Sequence, residues 1–135
     1  MEKEIDSVTI PTQSGEITIL QNHIPLVSNL KAGELKYRSK GEEDFFAVSG
    51  GFVEVRGNNE VVILADTAER GHEIDMERAE KARELAQKMM QENYHNETAS
   101  AEAMALLEKN LARLKVARKH RTHTSRNLES GVLHE

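Results

Sequence analysis

The sequence contains no cysteine and no tryptophan, and only 4% of its 135 residues are aromatic. Without cysteine the chain forms neither a disulfide bond nor a cysteine-based zinc site, which fits a reducing compartment. The longest apolar run, Val61–Ala65, is far shorter than the roughly 20 residues of a membrane-spanning helix. We therefore expect a core of aliphatic side chains, and a membrane that matters only through a partner.

Charge is shared unevenly along the chain. Residues 1–70 carry 12 acidic and 7 basic residues, a balance of −5, whereas residues 71–135 carry 11 of each, a balance of zero. Residues 109–126 contain seven cations and no acid: Lys109, Arg113, Lys115, Arg118, Lys119, Arg121 and Arg126. This basic stripe is a solvated helix face, or a surface for nucleic acid or for an acidic protein. The absence of aromatic residues among its cations counts against single-stranded nucleic acid.

Residues 6–65 show the pattern of short strands separated by turns. Apolar and polar residues alternate in several runs, and segments such as Gln13-Ser14-Gly15 and Gly57-Asn58-Asn59 are rich in turn-forming residues. Seven runs fit this description: DSVTI, EITIL, LVSNL, ELKYR, DFFAV, FVEVR and VVILA. Their spacing predicts an antiparallel β-sandwich or flattened barrel over residues 1–70.

From about residue 74 the apolar residues follow helical spacing instead. The first run contains Ala79, Ala82, Ala86, Met89 and Met90, and a second run from Ala99 to His120 contains Met104, Leu107, Leu111 and Leu114. We predict an antiparallel two-helix hairpin over 71–120 and a polar, disordered tail over 121–135, which makes the fold class α+β. An alanine-rich seam buries little apolar area, so this hairpin opens at modest cost.

Asp75 and Arg78, three positions apart, lie where the helical pattern begins. Aspartate is a favoured N-cap, stabilising a helix by about 1 kcal/mol, and Arg78 one turn later is free to pair with a nearby carboxylate. The same two residues can instead hold a ligand. Spacing alone leaves both interpretations open.

Other candidate sites have plainer explanations. Ser49-Gly50-Gly51 is not followed by a helix, so a hairpin turn or bulge is favoured over a phosphate loop. His120 and His123 share a helical face but lack a third ligand, so no metal site is predicted. No catalytic triad, paired-carboxylate cleft or Walker loop is visible. We expect no catalysis and no required cofactor.

Four segments resemble the epsilon subunit of F-type ATP synthases: SGEITILQNHIPLVSNLKAGEL, AVSGGFVEV, VVILADTAERG and EIDMERAEKA. The resemblance runs in order from Asp6 to Arg118. It implies a β-sandwich followed by a two-helix hairpin, the architecture that the periodicity predicts independently. It also implies a non-catalytic central-stalk subunit of a proton-translocating enzyme, bound peripherally at the cytoplasmic face of a bacterial membrane.

The resemblance further implies a regulatory ATP site. In some bacterial members ATP is bound by the motif that reads Ile74–Ala79 here, by an acid six residues before the aspartate, and by two cations of the second helix. The matching residues are Glu69, Asp75, Arg78, Lys109 and Arg113. Carboxylates can accept from an adenine amino group, and cations one turn apart can meet phosphates. Lys109 stands where those members have arginine, and a lysine lacks the bidentate fork, which predicts weaker affinity.

Protein partners are implied as well. In the family, the second helix inhibits ATP hydrolysis when the hairpin extends and meets an acidic segment of a catalytic beta subunit. The complementary charge would come from Lys109, Arg113, Lys115 and Arg118, an attraction that salt weakens. Glu16 and His23 lie in loop regions that, by resemblance, approach the c-ring and the gamma subunit.

One departure and one alternative accompany this interpretation. Typical members begin with an extra strand and turn, whereas only Met1–Glu4 precede the matching segment here, so the sandwich is expected to lack its first strand and to expose an edge. The alternative is a free-standing nucleotide sensor or nucleic-acid-binding adaptor that uses the basic second helix.

Overall fold

The computed structural model describes the backbone of residues 2–134 and the side chains of residues 2–121. Within residues 2–134, six strands, a 3-10 turn at Gly71–Glu73 and two helices follow one another. The strands are β1 Ser7–Thr12, β2 Gly15–Ile19, β3 Leu26–Asn29, β4 Gly33–Ser39, β5 Glu42–Arg56 and β6 Glu60–Arg70; the helices are α1 Met76–Glu92 and α2 Glu97–His134. The predicted α+β class, a sandwich-like sheet before a helical hairpin, is confirmed.

All strand pairs are antiparallel, and β5 is the centre of the sheet. The hydrogen-bonded order is β2-β1-β4-β5-β3, with β6 paired to β5 as well. Both β4 and β3 pair with the same edge of β5, from Gly33 opposite Val48 to Asn29 opposite Phe52, and β6 takes the other edge. A bridge between Thr12 and Leu30 joins β1 to the end of β3, so the sheet curves around its own interior.

The prediction of seven strands is wrong by one. The fifth and sixth predicted runs, DFFAV and FVEVR, are parts of the single strand β5. Ser49-Gly50-Gly51 does not turn the chain: β5 pairs with β6 in one register on both sides of these glycines. Gly50 and Gly51 have φ angles of 68° and 107°. A side chain at Gly51 would overlap the carbonyl oxygen of Leu64 on β6, so the close approach of these two strands requires glycine here.

The two glycines also change which face of β5 is turned inward. Val48 and Val53 are both buried in the sandwich core, yet they are five residues apart, and a regular strand would place them on opposite faces. Before the glycines, Ala47 faces the helices while Val48 faces the core. After them, Val53 is buried and its neighbour Phe52 is 41% exposed. One strand therefore contributes to the sandwich core along its whole length.

The sandwich core is aliphatic, as the composition predicts. Its buried members are Val8, Ile10, Ile19, Leu30, Leu35, Tyr37, Val48, Val53 and Val55, and every one belongs to the strand region. The sandwich thus has a core to which neither helix contributes.

The helices begin at capped ends. The side chain of Asp75 accepts a hydrogen bond from the backbone N–H of Arg78 at 3.1 Å, which confirms the predicted N-cap of α1. Asn96 plays the same part for α2, where its side-chain oxygen accepts from the N–H of Ala99 at 3.0 Å. A connection of only four residues, 93–96, makes the two helices antiparallel neighbours.

The buried face of α2 differs from the predicted apolar stripe. Of the four residues predicted for the stripe, Leu114 is buried and Leu107 is half-buried, whereas Met104 and Leu111 are 43% and 47% exposed. Ala103 and Asn110, outside the predicted stripe, are buried. The buried face is wider than one stripe because α2 is packed on two sides, against α1 and against the sandwich. On α1, likewise, the buried residues are Ala79 and Ala86.

Helix α2 continues to His134, past the end predicted near His120. The segment 121–134 contains no proline, and its one glycine is Gly131, so no strong stop signal precedes that point. Side chains beyond Arg121 lie outside the described residues, and the disordered tail and the domain boundaries stay predictions. Over the described residues, no helix has both the length and the apolar character needed to cross a membrane.

Candidate functional site

A second apolar cluster fixes the helices on the sandwich. It contains Ala47 of β5, Ile74 before α1, Ala79 of α1, and Leu114, Val116 and Ala117 of α2, with Phe45 and Met76 packed at its border. The start of α1 and the segment 114–117 of α2 thereby meet at the outer face of β5. Several cations of the basic stripe border this cluster, and their partners define the candidate site.

Arg113 of α2 is paired with Glu69 at the end of β6. Its Nε lies 2.8 Å from Glu69 Oε1, and its Nη2 donates to Oε2 at 3.3 Å. The buried Nε–H is not aligned for a hydrogen bond, so this shorter contact is one of charge. Both side chains are largely withdrawn from solvent, with exposed fractions of 20% and 28%. The structure therefore brings together two of the five residues predicted for ATP.

Asn110, which sequence reasoning missed, orients Arg113. Asn110 is 1% exposed; its Nδ2 donates to the carbonyl of Leu106 at 2.8 Å, and its Oδ1 accepts from Arg113 Nη1 at 3.0 Å. An asparagine in the middle of a helix resembles any other polar helix residue in the sequence. The only signal was its place one turn before Arg113.

Glu34 of β4, which sequence reasoning also missed, is paired with two lysines of α2. Lys119 Nζ donates to Glu34 Oε1 at 2.7 Å, and Lys115 Nζ lies 3.9 Å from Oε2. The Lys119 ammonium also stands 5.3 Å from the centroid of the Phe45 ring. Glu34 is a strand residue beside a glycine, with no motif around it, so no pattern in the sequence singles it out.

The remaining predicted ATP residues are placed as follows. Asp75 is exposed and occupied as the N-cap, and the side chain of Arg78 is exposed to solvent. Lys109 lies one turn before Arg113 on α2 and is half-buried. Over residues 2–121, no hydrogen bond or ion pair in the structure joins Lys109 or the Arg78 side chain to another of the five.

This arrangement has a definite chemical capacity. Arg113 and Lys109 are cations one turn apart, and Arg78 adds a third near the start of α1, which suits an anionic ligand such as a polyphosphate. Arg113 is already paired with the Glu69 carboxylate. A bound anion would therefore gain less electrostatic attraction from Arg113 than from an unpaired arginine. Arg118, the fourth predicted contact for the catalytic head, is exposed on α2 and has a contact of its own.

Glu16 and His23 lie away from the helices. Glu16 is exposed in β2, and His23 lies in the loop 20–25, where its Nδ1 is 2.7 Å from the carbonyl oxygen of Ile24. That loop is tied to the β5–β6 turn: Asn59 Oδ1 accepts from the N–H of Asn22 at 2.6 Å. This turn follows Arg56, whereas α2 packs near Phe45, so the two predicted contact regions are at opposite ends of β5.

No group of three potential metal ligands occurs among the described side chains. His120 packs against the ring of His72, with centroids 5.8 Å apart, and His123 lies outside the side chains that the structure describes.

Two family descriptions match consecutive parts of the chain. "ATP synthase, Delta/Epsilon chain, beta-sandwich domain" matches residues 1–71, and "ATP synthase, Delta/Epsilon chain, long alpha-helix domain" matches residues 72–118. The junction between them falls at the 3-10 turn that separates β6 from α1.

Individual relatives of the chain come from the same family as these descriptions. The chain is 46% identical to the ATP synthase epsilon chain of Dehalococcoides mccartyi over 121 residues, covering 90% of this chain and 86% of the relative, and 42% identical to that of Desulfitobacterium hafniense over 118 residues, covering 87% of each. It also resembles, at a TM-score of 0.75 and 30% identity, a chain in the mitochondrial ATP synthase (OSCP/F1/c-ring) of Euglena gracilis, covering 87% of this chain and 72% of that one. The chain therefore belongs to the ATP synthase epsilon chain family.

Proposed function

We propose that this chain is a non-catalytic central-stalk subunit of a proton-translocating F-type ATP synthase, transmitting rotation between the c-ring and the catalytic head. One observation carries the proposal: the family descriptions for both parts match in chain order across residues 1–118. The related Euglena chain comes from an assembly that contains the catalytic head and the c-ring. In this role the chain lies at the cytoplasmic face of a bacterial membrane, held there by the complex.

The sandwich supplies the docking surface for the gamma subunit and the c-ring. Its free end carries the loop 20–25, where Leu20 and Ile24 are 62% and 75% exposed on either side of His23. Exposed apolar side chains beside a polar group are typical of protein contacts. Glu16 and His23 act there as rotor contacts. Since α2 packs at the other end of β5, this docking leaves the hairpin free to move.

The hairpin regulates ATP hydrolysis. Extension of α2 carries Lys109, Arg113, Lys115 and Arg118 towards an acidic segment of a catalytic beta subunit, where they oppose rotation in the hydrolysis direction. The alanine-rich seam supports this role, because Ala79, Ala86 and Ala103 contribute little apolar area to the closed state.

ATP acts as a regulatory ligand of the closed hairpin, held by Glu69, Asp75, Arg78, Lys109 and Arg113. It favours closure because it binds the closed form better than the open one. A ligand at 100 times its dissociation constant adds about 2.7 kcal/mol to the closed form. That is comparable with the burial of one or two apolar side chains.

Association with the gamma subunit tests the central-stalk role. Purified chain and purified gamma are expected to elute as a one-to-one complex in size-exclusion chromatography, and Ile24→Asp to weaken the rotor contacts without unfolding the sandwich, since Ile24 is 75% exposed. Separate elution at micromolar concentrations, together with salt-sensitive binding of RNA, would support the adaptor alternative and overturn the proposal.

Calorimetric titration with ATP tests the ligand. Asp75→Ala and Arg78→Ala are both expected to weaken binding at least tenfold, while the control Glu77→Gln leaves it unchanged. Glu77 is an exposed carboxylate of the same turn, paired only with Lys81 in the described region. Absence of binding heat at millimolar ATP, or equal effects of all three changes, would leave Asp75 as a helix cap alone.

A further inference from the structure

Two carboxylates of the sandwich meet the basic stripe of α2. Glu34 on β4 receives Lys119 and Lys115, and Glu69 on β6 receives Arg113. These contacts cross from the strand region to the second helix, between residues far apart in sequence. Two of the four cations proposed to meet an acidic partner, Arg113 and Lys115, therefore already face carboxylates within the chain when the hairpin is closed. Lys119, one turn further along α2, is paired in the same way.

Glu34 is the more deeply placed of the two carboxylates. Its side chain is only 10% exposed, and its Oε2 makes no hydrogen bond within the described part of the chain. A carboxylate removed from water is costly unless positive charge faces it. Here that charge comes from the ammonium groups at 2.7 Å and 3.9 Å, both on α2. The burial of Glu34 thus depends on α2 being in place.

The ion pairs that Arg56 makes within the sandwich do not have this property. Arg56 and Glu60 join neighbouring parts of one hairpin and are 46% and 49% exposed, so water screens their charges. Arg56 also lies 3.6 Å from Glu54 of the same strand, which is 41% exposed. Opening the helical hairpin would leave these pairs unchanged, whereas it would separate the pairs of Glu34 and Glu69.

We propose that Glu34 and Glu69 form an acidic clamp that holds α2 on the sandwich and competes with any external acidic surface for the same cations. While the clamp is closed, Arg113, Lys115 and Lys119 face carboxylates of the chain itself, which weakens their attraction to an external acidic partner. When α2 leaves, the cations become available and Glu34 becomes hydrated. The clamp works in the absence of ATP, and it weakens as salt concentration rises.

The clamp is a property of the isolated chain, and only its effect on hydrolysis depends on the proposed inhibitory role. The natural sequence has no cysteine, so cysteines introduced as Asn58→Cys and Ala105→Cys give a unique pair of spin-label sites. Both positions are exposed, one on the β5–β6 turn and one on α2, and neither touches the clamp. Double electron–electron resonance then reports the populations of the closed and open forms.

The labelled full chain is compared with its Glu34→Gln variant and with the control Glu42→Gln, which removes the same charge from an exposed position of β5. We expect Glu34→Gln to raise the open-to-closed ratio about tenfold, as a loss of about 1.4 kcal/mol does. Glu42→Gln should match the parent. Moving from 50 mM to 500 mM salt should open the parent more than it opens Glu34→Gln.

Lys119→Gln supplies an independent measurement on the other side of the contact. It should raise the open-to-closed ratio as well, and combining it with Glu34→Gln should add less than the sum of the two effects, since they act on one pair. Equal ratios for the parent, Glu34→Gln and Lys119→Gln at every salt concentration would overturn the clamp. If Glu34→Gln fails to fold, Lys119→Gln alone decides, because Lys119 is 43% exposed.

Hydrolysis by the assembled complex separates the clamp from the inhibitory role. A variant that opens the hairpin of the isolated chain and also slows ATP hydrolysis by the complex supports both the clamp and the inhibitory role. If Glu34→Gln opens the isolated chain without changing hydrolysis at equal incorporation, the clamp stands and the inhibitory role falls.

Discussion

The sandwich and the helical hairpin are held together by different side chains. The sandwich core uses large aliphatic residues such as Ile10, Val48 and Val53, all at most 2% exposed. The helical seam uses Ala79, Ala86 and Ala103, which are fully buried but small. Burial of an isoleucine stabilises by roughly 1.5–3 kcal/mol, whereas a single methyl contributes about 0.8 kcal/mol.

Because the sandwich core and the helical seam differ in apolar burial, polar contacts contribute differently to the stability of the two parts. In the sandwich, an ion pair is a small addition to apolar burial and strand pairing. The two helices bury mainly small side chains against each other, while Leu114 and Val116 of the second apolar cluster fix α2 on the sandwich. The ion pairs that Glu34 and Glu69 make with α2 add to that attachment. One chain thus combines a sandwich that has its own aliphatic core with a hairpin whose two helices bury small side chains against each other.

The largest expected effect is in the sandwich core. Ile10→Ala should lower the free energy of unfolding by about 2–5 kcal/mol, because Ile10 is fully buried and its removal leaves a cavity. Urea unfolding followed by circular dichroism measures it. Leu20→Ala is the control at a 62% exposed position and should change the free energy by less than about 0.5 kcal/mol. Equal effects would contradict the assignment of the core.

The next effect concerns the close approach of β5 and β6. Gly51→Ala should lower the free energy of unfolding by about 1–3 kcal/mol from its left-handed φ, and by more because the methyl overlaps Leu64. Gly41→Ala separates the two causes, since Gly41 also has a positive φ but open space around it. A Gly51→Ala variant no less stable than Gly41→Ala would show that the strands approach less closely than described.

A smaller effect is expected at the start of α1. Asp75→Ala should cost about 1 kcal/mol through loss of the N-cap, whereas Asp75→Asn should cost only a few tenths, since asparagine caps equally well. Hydrogen exchange at the first turn of α1 measures the difference. Identical losses would mean that the charge of Asp75, and not its capping bond, stabilises the helix.

The smallest effect compares two ion pairs. A double-mutant cycle of Glu69→Gln and Arg113→Gln should give a coupling free energy of about 1 kcal/mol, because both partners are mostly buried. The same cycle on the exposed pair Arg56 and Glu60 should give less than about 0.5 kcal/mol. Equal coupling free energies in both cycles would contradict the claim that the pair between Glu69 and Arg113 stabilises the protein more than an exposed pair does.

Much of the fold was predictable from local patterns. Alternation along β1 and β2 and the change of period near residue 74 depend on neighbouring residues, which is why the sandwich, the hairpin and the Asp75 cap were anticipated. The continuity of β5 was missed because two glycines between apolar runs are typical of turns. Only the pairing of β6 on both sides of them shows otherwise.

The candidate site was less predictable, because its contacts join distant residues. Arg113 and Glu69 were named through resemblance, but their mutual pairing across 44 positions has no local signature. Glu34 and Asn110 sit in ordinary strand and helix contexts, and their importance comes only from what α2 packs against. The exposed positions of Met104 and Leu111 have the same cause.

The most direct test of the regulatory role is ATP hydrolysis by the assembled synthase. One complex carries the full chain, and the other carries a chain ending at Ile74, which retains every residue of the sandwich core. We expect equal incorporation of both chains and faster hydrolysis by the complex that lacks the hairpin. Equal rates of hydrolysis at equal incorporation would contradict it.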